Sequence, residues 1–321
     1  MSTTQTHPEP AVGEAMRSRR SRRKRWIIGL ICAALVIGAA VPAALVLGSS
    51  AAPPRRPVRY VGLYERTSPT SYTGVTKFAA ATGVRPNIVM YYSSWREPFQ
   101  AGFATTVSRH GAVPLVQMNP TGISLAKIAA GRYDGYLAGY ARAVRAYNRP
   151  VVISFGHEMN GHWYSWGYTH TSPAVFVQAW RHLVSVFRAQ GARNVTWMWT
   201  VNIIDQAGGI LDPAKWWPGR TYVNWVGIDG YYYSGSLTFA SLFGPTIAAV
   251  RERTGDPILI AETAVAPTAN QPAKIDDLFA GIRTYGLLGA VWFQVQKWRL
   301  ASPAAIAHFR RGADAYQGSR P

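Results

Sequence analysis

The stretch PVVISFGHEMNGHW, from Pro150 to Trp163, contains the pattern that decides the fold of this 321-residue chain. An unbroken apolar run, VVISF, is followed directly by a glycine and a group of polar side chains. Short apolar runs without alternation are typical of strands that are buried on both faces of a sheet. The polar residues of the stretch are therefore expected at the point where a buried strand ends.

Seven other runs of this kind occur along the chain, and several are followed by Ala-rich segments of helical period. Examples of such segments are 124–148, 173–191 and 274–286, and each closes on Asn or Gly, as helices commonly do. The segment after the fifth run differs, because its Gly and Pro leave room for only a short helix. The eight runs are residues 60–65, 87–95, 113–119, 151–158, 195–202, 223–232, 257–265 and 289–295.

Apolar strands that alternate with helices imply a parallel sheet that is covered on its faces. Eight such units in about 260 residues predict a single (β/α)8 barrel, in the α/β class. A doubly wound open sheet is the alternative, although no glycine-rich phosphate loop follows the first strand. The sequence therefore favours a closed barrel whose site lies at the carboxyl-terminal ends of its strands.

Positive charge is concentrated near the start of the chain. The formal net charge is +19, and residues 1–59 hold ten Arg and Lys against two acids, which leaves +8 there and +11 elsewhere. Seven of the ten cations lie in RSRRSRRKR, between Arg17 and Arg25. The charge, taken alone, would also fit a protein that binds nucleic acid or another anionic polymer. Charge beside an apolar segment is better explained by membrane topology, so we expect no nucleic-acid partner.

Residues 26–48 form that apolar segment, which is uncharged and long enough to cross a bilayer as a helix of about 20 residues. Positive charge stays on the cytoplasmic side, so we expect a single-pass protein of the cell membrane with its N-terminus inside and its barrel domain extracellular. A cleaved secretory signal, ending near Ser50-Ala51-Ala52, is the alternative and would make the protein secreted. We expect a basic cytoplasmic tail (1–25), a transmembrane helix or signal segment (26–48), a Pro-rich linker (49–59) and the barrel domain (60–321).

Three acids directly follow apolar runs: Glu158, Asp229 and Glu262. Glu158 and Glu262 are 104 residues apart, which is three strands round the ring at roughly 33 residues per unit. A retaining glycosidase needs two carboxyl groups, one to protonate the leaving oxygen and one to attack the anomeric carbon. Strand ends at one barrel mouth can supply such a pair, whereas for Asp229 the anchoring of a loop is favoured.

The histidines near Glu158 invite a metal interpretation that their spacing does not support. A zinc site of the His-Glu-x-x-His type needs histidines four residues apart on a helix. His157 and His162 are five apart, with Gly161 between them and a strand before them. The Gly-x-Ser-x-Gly turn of serine hydrolases is also absent. We expect no metal and no cofactor, and we interpret His162 as a bystander.

Four motifs, HEMNGHWYSWG, WWPGRTYVNWVGIDGYYY, PILIAETA and VWFQVQKWRL, occur in this order over the barrel. Together they resemble glycoside hydrolase family 26, whose best known members are β-mannanases. The resemblance implies that Glu158 is the general acid/base and Glu262 the nucleophile, and that Tyr231 hydrogen-bonds the nucleophile. One departure is Ala264, two residues after Glu262, where the family usually has glycine; this small change is expected to affect the subsites more than catalysis.

Further residues beside the motifs are candidates for contact with a sugar. His157 precedes the predicted acid and is expected to hold a hydrogen bond in the site. Asn202 ends the fifth strand and is weighed equally against a turn role. Aromatic planes stack on the C–H faces of sugar rings, and Trp163, Trp166 and Trp298 are expected to line the cleft.

The expected function is that of a retaining endo-β-glycosidase that hydrolyses β-1,4-mannan-type polysaccharide through a covalent glycosyl-enzyme. Mixed-linkage β-glucan and β-1,3-xylan remain open as substrates. A non-catalytic, surface-anchored carbohydrate-binding barrel is the alternative from another class, but it would not need both glutamates. A β-linked polysaccharide or oligosaccharide is the expected partner, and the protein is expected to be a monomer.

Overall fold

The computed structural model describes residues 58–300 and 302–318. Within them, eight parallel strands form a closed barrel in the order β1-β2-β3-β4-β5-β6-β7-β8, with β8 paired to β1. The predicted (β/α)8 barrel is therefore confirmed, and each strand lies within the apolar run that predicted it. The strands are β1 (Tyr60–Glu65), β2 (Ile88–Ser94), β3 (Val113–Asn119), β4 (Val151–Phe155), β5 (Val195–Asn202), β6 (Trp225–Asp229), β7 (Ile258–Thr263) and β8 (Gly289–Gln294).

Helices surround the barrel and connect successive strands. In the described residues these are α1 (Thr73–Thr82), α2 (Ala101–Arg109), α3 (Leu125–Ala129), α4 (Asp134–Tyr147), α5 (Pro173–Ala189), α6 (Phe239–Arg251), α7 (Gln271–Thr284) and α8 (Pro303–Gln317). The carboxyl-terminal ends of all eight strands meet at one end of the barrel, which we call the mouth.

Two connections differ from the simplest repeat. Segment 124–148, predicted as one helix, forms α3 and α4 with a break at Gly131, whose φ of +75° lies in the left-handed region. After β5, only two 3-10 helices form, Pro213–Trp216 and Arg220–Tyr222. The prediction that glycine and proline leave room for only a short helix there is confirmed.

The strands are apolar throughout because both of their faces are buried. The larger apolar cluster lies between the barrel and the helices. The smaller fills the barrel interior below the mouth and consists of Ile88, Met90, Leu115, Val152, Met198, Leu259, Ala261 and Val291. Since side chains alternate along a strand, residues two or four positions beyond these also point inward. Tyr92 and Thr200 are thereby directed towards the mouth, and so is Asp229, four positions beyond Trp225, which packs against the same cluster.

The N-terminal predictions concern residues that the structure leaves undescribed. The basic tail, the membrane or signal segment and nearly all of the linker fall in residues 1–57, outside the described residues. In residues 58–300 and 302–318, no helix is long and apolar enough to cross a membrane.

Candidate active site

A tight turn after β4 places Glu158 at the mouth. Gly156 and Glu158 have φ values of +57° and +56°, and the left-handed region is uncommon for a residue with a side chain. The Glu158 amide N–H donates to the carbonyl of Thr200, 3.0 Å away on the neighbouring β5. Such backbone conformations persist where surrounding contacts enforce them, often at functional sites. Here the turn holds the Glu158 side chain beside β5.

Two N–H groups contact the Glu158 carboxyl, which is only 7% exposed. Trp163 Nε1 donates to Oε2 at 2.8 Å, and Asn202 Nδ2 donates to Oε1 at 2.6 Å. Burial, with a further contribution from the charge of Glu262, raises the pKa of Glu158 to about 8, although both donors oppose the rise. This carboxyl is therefore suited to hold a proton at neutral pH.

Glu262 lies on β7, is 4% exposed, and accepts hydrogen bonds from two tyrosines. Tyr231 Oη donates to Oε2 at 2.7 Å, and Tyr92 Oη donates to Oε1. Burial raises the pKa of Glu262 to about 7, and the two phenols hold it below the value that burial alone would give. Because the charge of Glu262 adds to the rise for Glu158, a proton shared between these two glutamates is favoured on Glu158.

Asp229 is a third buried carboxyl at the mouth. It is paired in register with Glu262, after a shift in the β6–β7 pairing that begins at Ile228. Neither of its carboxyl oxygens has a hydrogen-bond partner in the described part of the chain. Burial, followed by the charges of Glu262 and Glu158, raises its pKa well above the usual range. A buried carboxyl paired in register with Glu262 is a different position from the loop anchor that was favoured for this residue.

His157 is fully buried beside the Glu158 turn. Its Nδ1 lies 3.0 Å from Oδ1 of Asn119 and its Nε2 lies 3.1 Å from Oη of Tyr164. Burial lowers the pKa of His157 to about 3, so the ring is neutral. Since the amide oxygen can only accept, Nδ1 carries the hydrogen and Nε2 accepts from the tyrosine. The expected hydrogen bond of His157 in the site thus has two partners that the sequence did not indicate.

His157, Asp229 and Glu262 each place one ligand-type atom within 4.8 Å of the other two. Sequence spacing did not predict this grouping, because the three residues come from three different strand ends. Both nitrogens of His157 and both oxygens of Glu262 already take part in hydrogen bonds. A cation could be held here only by displacing some of these bonds.

The tryptophans selected from the sequence occupy different positions. Trp163 is 42% exposed and touches the Glu158 carboxyl. Trp298 stacks on Tyr231, with ring centroids 4.7 Å apart and an interplanar angle of 30°. Trp166 is only 2% exposed, and its Nε1 donates to the carbonyl of His157 at 2.7 Å. The expectation that Trp166 contacts a sugar is therefore wrong, because a buried indole in this position supports the turn instead.

Sequence reasoning missed Tyr92, Asn119 and Tyr164. Of these three, Tyr92 could most easily have been found from the sequence, because it is two positions beyond Met90 on the inward face of β2. Asn202, selected to face the sugar, instead directs its amide to Glu158 and is itself held by Asn160, which accepts its backbone N–H at 2.9 Å. Ala264 is buried, and its carbonyl accepts from Tyr232 at 3.0 Å.

The fold and the two hydrogen-bonded glutamates at the barrel mouth define a class of protein, the glycoside hydrolases. The sequence model of glycosyl hydrolase family 26 matches residues 86–256, more than half of the chain. The chain belongs to this family.

Individual relatives differ in their printed activities. The chain is 30% identical over 275 residues to Endoglucanase H of Acetivibrio thermocellus, an alignment that covers 79% of this chain and 30% of that protein. It is 24% identical over 200 residues to a mannan endo-1,4-beta-mannosidase of Bifidobacterium adolescentis, covering 58% of this chain and 19% of that protein. The chain thus spans less than a third of the length of these curated relatives.

A solved structure of a Bacillus subtilis mannanase has the same fold. The two structures superpose with a TM-score of 0.60 at 16% sequence identity, over 78% of this chain and 85% of the other. At this identity the likeness concerns the barrel architecture alone.

Proposed function

We propose that this glycoside hydrolase is a retaining endo-β-glycosidase that cleaves β-1,4-mannan-type polysaccharide, with Glu262 as nucleophile and Glu158 as general acid/base. The observation that supports it most is the placement of two buried carboxyls at one barrel mouth, each held by two hydrogen-bond donors. Burial raises the pKa of both, and the charge of Glu262 raises that of Glu158 further, which favours a protonated Glu158 beside an ionised Glu262. An ionised nucleophile beside a protonated acid is the starting state that a retaining mechanism requires.

In the first step a Glu262 carboxylate oxygen attacks the anomeric carbon, and the bond from that carbon to the glycosidic oxygen breaks. Glu158 gives its proton to the departing oxygen, so that the leaving sugar departs as a neutral alcohol. The product is a covalent glycosyl-enzyme on Glu262. The loss of charge on Glu262 at this stage also lowers the pKa of Glu158, which prepares it to act as a base.

In the second step Glu158, now a carboxylate, removes a proton from water as the water oxygen attacks the anomeric carbon. The bond to Glu262 breaks, Glu262 regains its charge, and Glu158 is again protonated. Two inversions give net retention of the anomeric configuration. Tyr92 and Tyr231 steady the departing carboxylate through the bonds they donate to it.

Residues around the pair have supporting roles in this proposal. Trp163 and Trp298 offer aromatic surface to the sugar rings, and Asn202 and Trp163 orient the acid/base. Neutral His157 holds the Glu158 turn through Asn119 and Tyr164. The partner is thus a β-linked polysaccharide chain that lies across the barrel mouth.

A mixed-linkage or β-1,4-glucan is a second candidate substrate. The 30% identity to an endoglucanase over 79% of this chain favours it. Reducing-sugar release from mannan, glucomannan, mixed-linkage β-glucan and β-1,3-xylan by the full-length protein discriminates between the candidates. Glu262→Gln is the matched inactive control, and hydrolysis of none of the four would leave the non-catalytic, carbohydrate-binding alternative.

Retention and endo action are tested with the substrate that is cleaved best. Proton NMR recorded immediately after mixing should show the β-anomer first, and an initial α-anomer would contradict the assignment of Glu262 as nucleophile. Oligosaccharides of mixed length at early times indicate endo action, whereas a single short product indicates exo action.

We also propose that residues 26–48 anchor the protein in the cell membrane, with the barrel outside. The run of positive charge before an uncharged segment supports this topology. Fractionation of cells that express the full chain tests it: protease added outside should release the barrel, and barrel recovered only from the medium would indicate a cleaved signal instead.

A further inference from the structure

The barrel mouth is electrically asymmetric. On the side formed by the loops after β8, β1 and β2, four cations are exposed: Arg66, Arg96, Lys297 and Arg299. None of the four makes an ion pair with any residue in 58–300 or 302–318. We call these four residues the cationic rim.

Few carboxylates near the cationic rim could neutralise its charge. Glu97 lies in the same loop as Arg96 and accepts from the backbone N–H of Ser94 at 2.8 Å. Glu65 ends β1 but points outward to the helix layer, where a Cβ atom on Gly74 would meet its Oε2 at 2.0 Å. It accepts from Thr67 Oγ1 at 2.6 Å and from Ser68 Oγ at 3.1 Å. Both carboxylates thus hold hydrogen bonds within their own loops, and neither forms an ion pair with the rim.

Across the mouth the charges have the opposite sign. The segment after β5 carries Asp205 and Asp212, and it is joined to the β4 loop where Leu211 donates to the carbonyl of Asn160 at 3.0 Å. The next cation along this segment, Lys215, lies in the 3-10 helix Pro213–Trp216, which packs against α5 and α6. The side of the mouth next to Glu158 is therefore acidic.

A short series of contacts connects Lys297 to Glu262. The Lys297 ammonium lies 5.0 Å from the centre of the Trp298 ring, Trp298 stacks on Tyr231, and Tyr231 donates to Glu262. A cation over an aromatic face is attracted to it and is held in place. Lys297 thus lies two rings away from the proposed nucleophile, although it is exposed to solvent.

Arg66 directly follows the neighbouring strand β1 and lies close to Tyr64, whose ring belongs to the aromatic floor of the cleft. Its charge lowers the pKa of Tyr64 against the larger effects of burial and Glu262, which raise it. The Tyr64 ring packs against Tyr92 at 5.0 Å and against Phe293 at 4.6 Å. Arg66 and Lys297 therefore flank the floor of the cleft on the side of β8 and β1.

The order of the strands decides which part of a substrate meets the rim. In a ring of eight strands β8 lies opposite β4, so the cations of the β8 loop face Glu158 across the mouth. If Glu158 protonates the leaving oxygen, the leaving part of the chain departs on the Glu158 side. The part that stays bound to Glu262, the glycone, then extends over the cationic rim.

We propose that the cleft selects β-glycans that carry a carboxylate on the glycone side of the cleaved bond, and that Lys297 and Arg66 bind this carboxylate. The inference rests on the proposed function, because the direction of the chain follows from the role of Glu158. It distinguishes this protein from an enzyme adapted to a wholly neutral mannan, glucan or xylan.

The test compares glucomannan, a β-1,4-linked polymer of glucose and mannose, with the same polymer after partial oxidation of its C6 alcohols to carboxylates. At low salt, kcat/KM for the full-length protein should be about five- to tenfold higher on the oxidised polymer, as two partly screened charge pairs allow. The preference should vanish near 1 M NaCl, where the screening length is about 3 Å. Each cleavage creates a new reducing end on the glycone-side product. Carboxylates should be found in the sugars of this product that lie next to that end.

Variants assign the effect to the rim. Lys297→Gln and Arg66→Gln should each lower the ratio of oxidised to neutral kcat/KM by about two- to threefold, and the double variant should bring it near one. Arg85→Gln removes an exposed cation from the α1–β2 loop, at the opposite end of the barrel, and should leave the ratio unchanged. Equal kcat/KM on both polymers, or the same loss in Arg85→Gln, would overturn the proposal.

Binding separates this proposal from the proposed function. Affinity electrophoresis in gels that contain either polymer measures retention of Glu262→Gln without turnover. Stronger retention by the oxidised polymer that depends on Lys297 supports the rim even if no hydrolysis is found, in which case only the proposed function fails. Hydrolysis of glucomannan with equal retention in both gels refutes the rim alone.

Discussion

The indole N–H of Trp163 points at the carboxyl of Glu158, with 2.8 Å between Nε1 and Oε2. The six residues from Glu158 to Trp163 form a loop that bends back on its own start, and Gly161 within it has no room for a Cβ, which would lie 2.4 Å from the Trp163 ring. The same indole is exposed enough to meet a sugar ring. Trp163 thus connects the binding surface to the proposed proton donor.

Replacement of Trp163 by Phe should shift the alkaline limb of the pH profile. The indole N–H stabilises the ionised Glu158, so its loss raises the pKa of Glu158 above about 8 and moves the loss of activity to higher pH. Profiles of kcat/KM against pH measure this. Trp225→Phe, at the other end of the barrel where Trp225 packs against Tyr60, is the control and should keep the limb in place.

The wild-type pH profile should be a narrow bell with its maximum between pH 7 and 8. Activity requires Glu262 ionised and Glu158 protonated, and the pKa values of these groups are about 7 and about 8. A maximum well below pH 6 would contradict the assignment of these two groups to the two limbs.

Loss of the Tyr231 hydroxyl should affect the acid limb. Tyr231→Phe removes a donor that lowers the pKa of Glu262, so ionisation of Glu262 should require higher pH and kcat should fall by about tenfold or more. Tyr233→Phe is the matched control, because Tyr233 is two residues away and exposed. An acid limb that stays fixed in Tyr231→Phe would show that this phenol does not tune the carboxyl.

Glu158→Gln and Glu158→Ala should lose activity on polysaccharide by about 10²- to 10⁴-fold, the usual contribution of general acid–base catalysis. Substrates with a highly acidic phenol leaving group need no protonation, so their first step should be much less affected. Rates with both substrate types and accumulation of the glycosyl-enzyme, seen by intact-protein mass, measure this. An equal loss on both would indicate that Glu158 does not act as the acid.

Stability should fall as pH rises through the range in which the buried carboxyls ionise. Their folded pKa values of about 8 and about 7 exceed the value of about 4.3 in an unfolded chain, so the folded state binds protons more tightly and is favoured at low pH. Glu262→Gln should therefore exceed wild type in Tm by more at pH 8 than at pH 5. Glu252→Gln, near the end of α6, should show no such pH-dependent gain.

Close packing of α7 on α6 depends on a glycine. A Cβ at Gly281 would lie 2.0 Å from Cγ of buried Phe239, so Gly281→Ala should destabilise the protein by about 1–3 kcal/mol. Gly102→Ala, in α2 where a Cβ meets nothing within 4 Å, should instead stabilise by about 0.4–1 kcal/mol. Urea unfolding of both variants beside wild type measures the difference, and equal losses would refute the packing argument.

The barrel could be predicted because its signal is repeated and local. Every strand reads as an apolar run, since a barrel strand is buried on both faces, and β1, β3 and β5 begin and end where their runs do. The split of segment 124–148 into α3 and α4 was less accessible. Apolar periodicity continues across Gly131, and only the backbone conformation at that glycine ends the first helix.

The positions of Glu158 and Glu262 at strand ends could also be predicted from the sequence, because a carboxylate directly after an apolar run must lie at the rim of the barrel. Of the hydrogen bonds around them, only that from Tyr231 to Glu262 was expected, from the family resemblance. Tyr92 and Tyr231 come from β2 and from the loop after β6, and they meet at Glu262 only when the ring closes. Trp166 is the opposite case. Its position in the sequence motif suggested contact with a sugar, but its side chain is buried.

What the sequence determined is thus the order of strands and helices and the presence of two carboxyls at one end of the barrel, since both follow from local hydrophobicity and chain position. The tertiary structure decided which other groups donate to each carboxyl, that the Asp229 carboxyl has no hydrogen-bond partner in the described residues, and that cations without ion pairs there surround the ends of β8 and β1. The physical reason is that pKa values and surface charge depend on distances between residues far apart in the chain, and only closure of the barrel sets those distances.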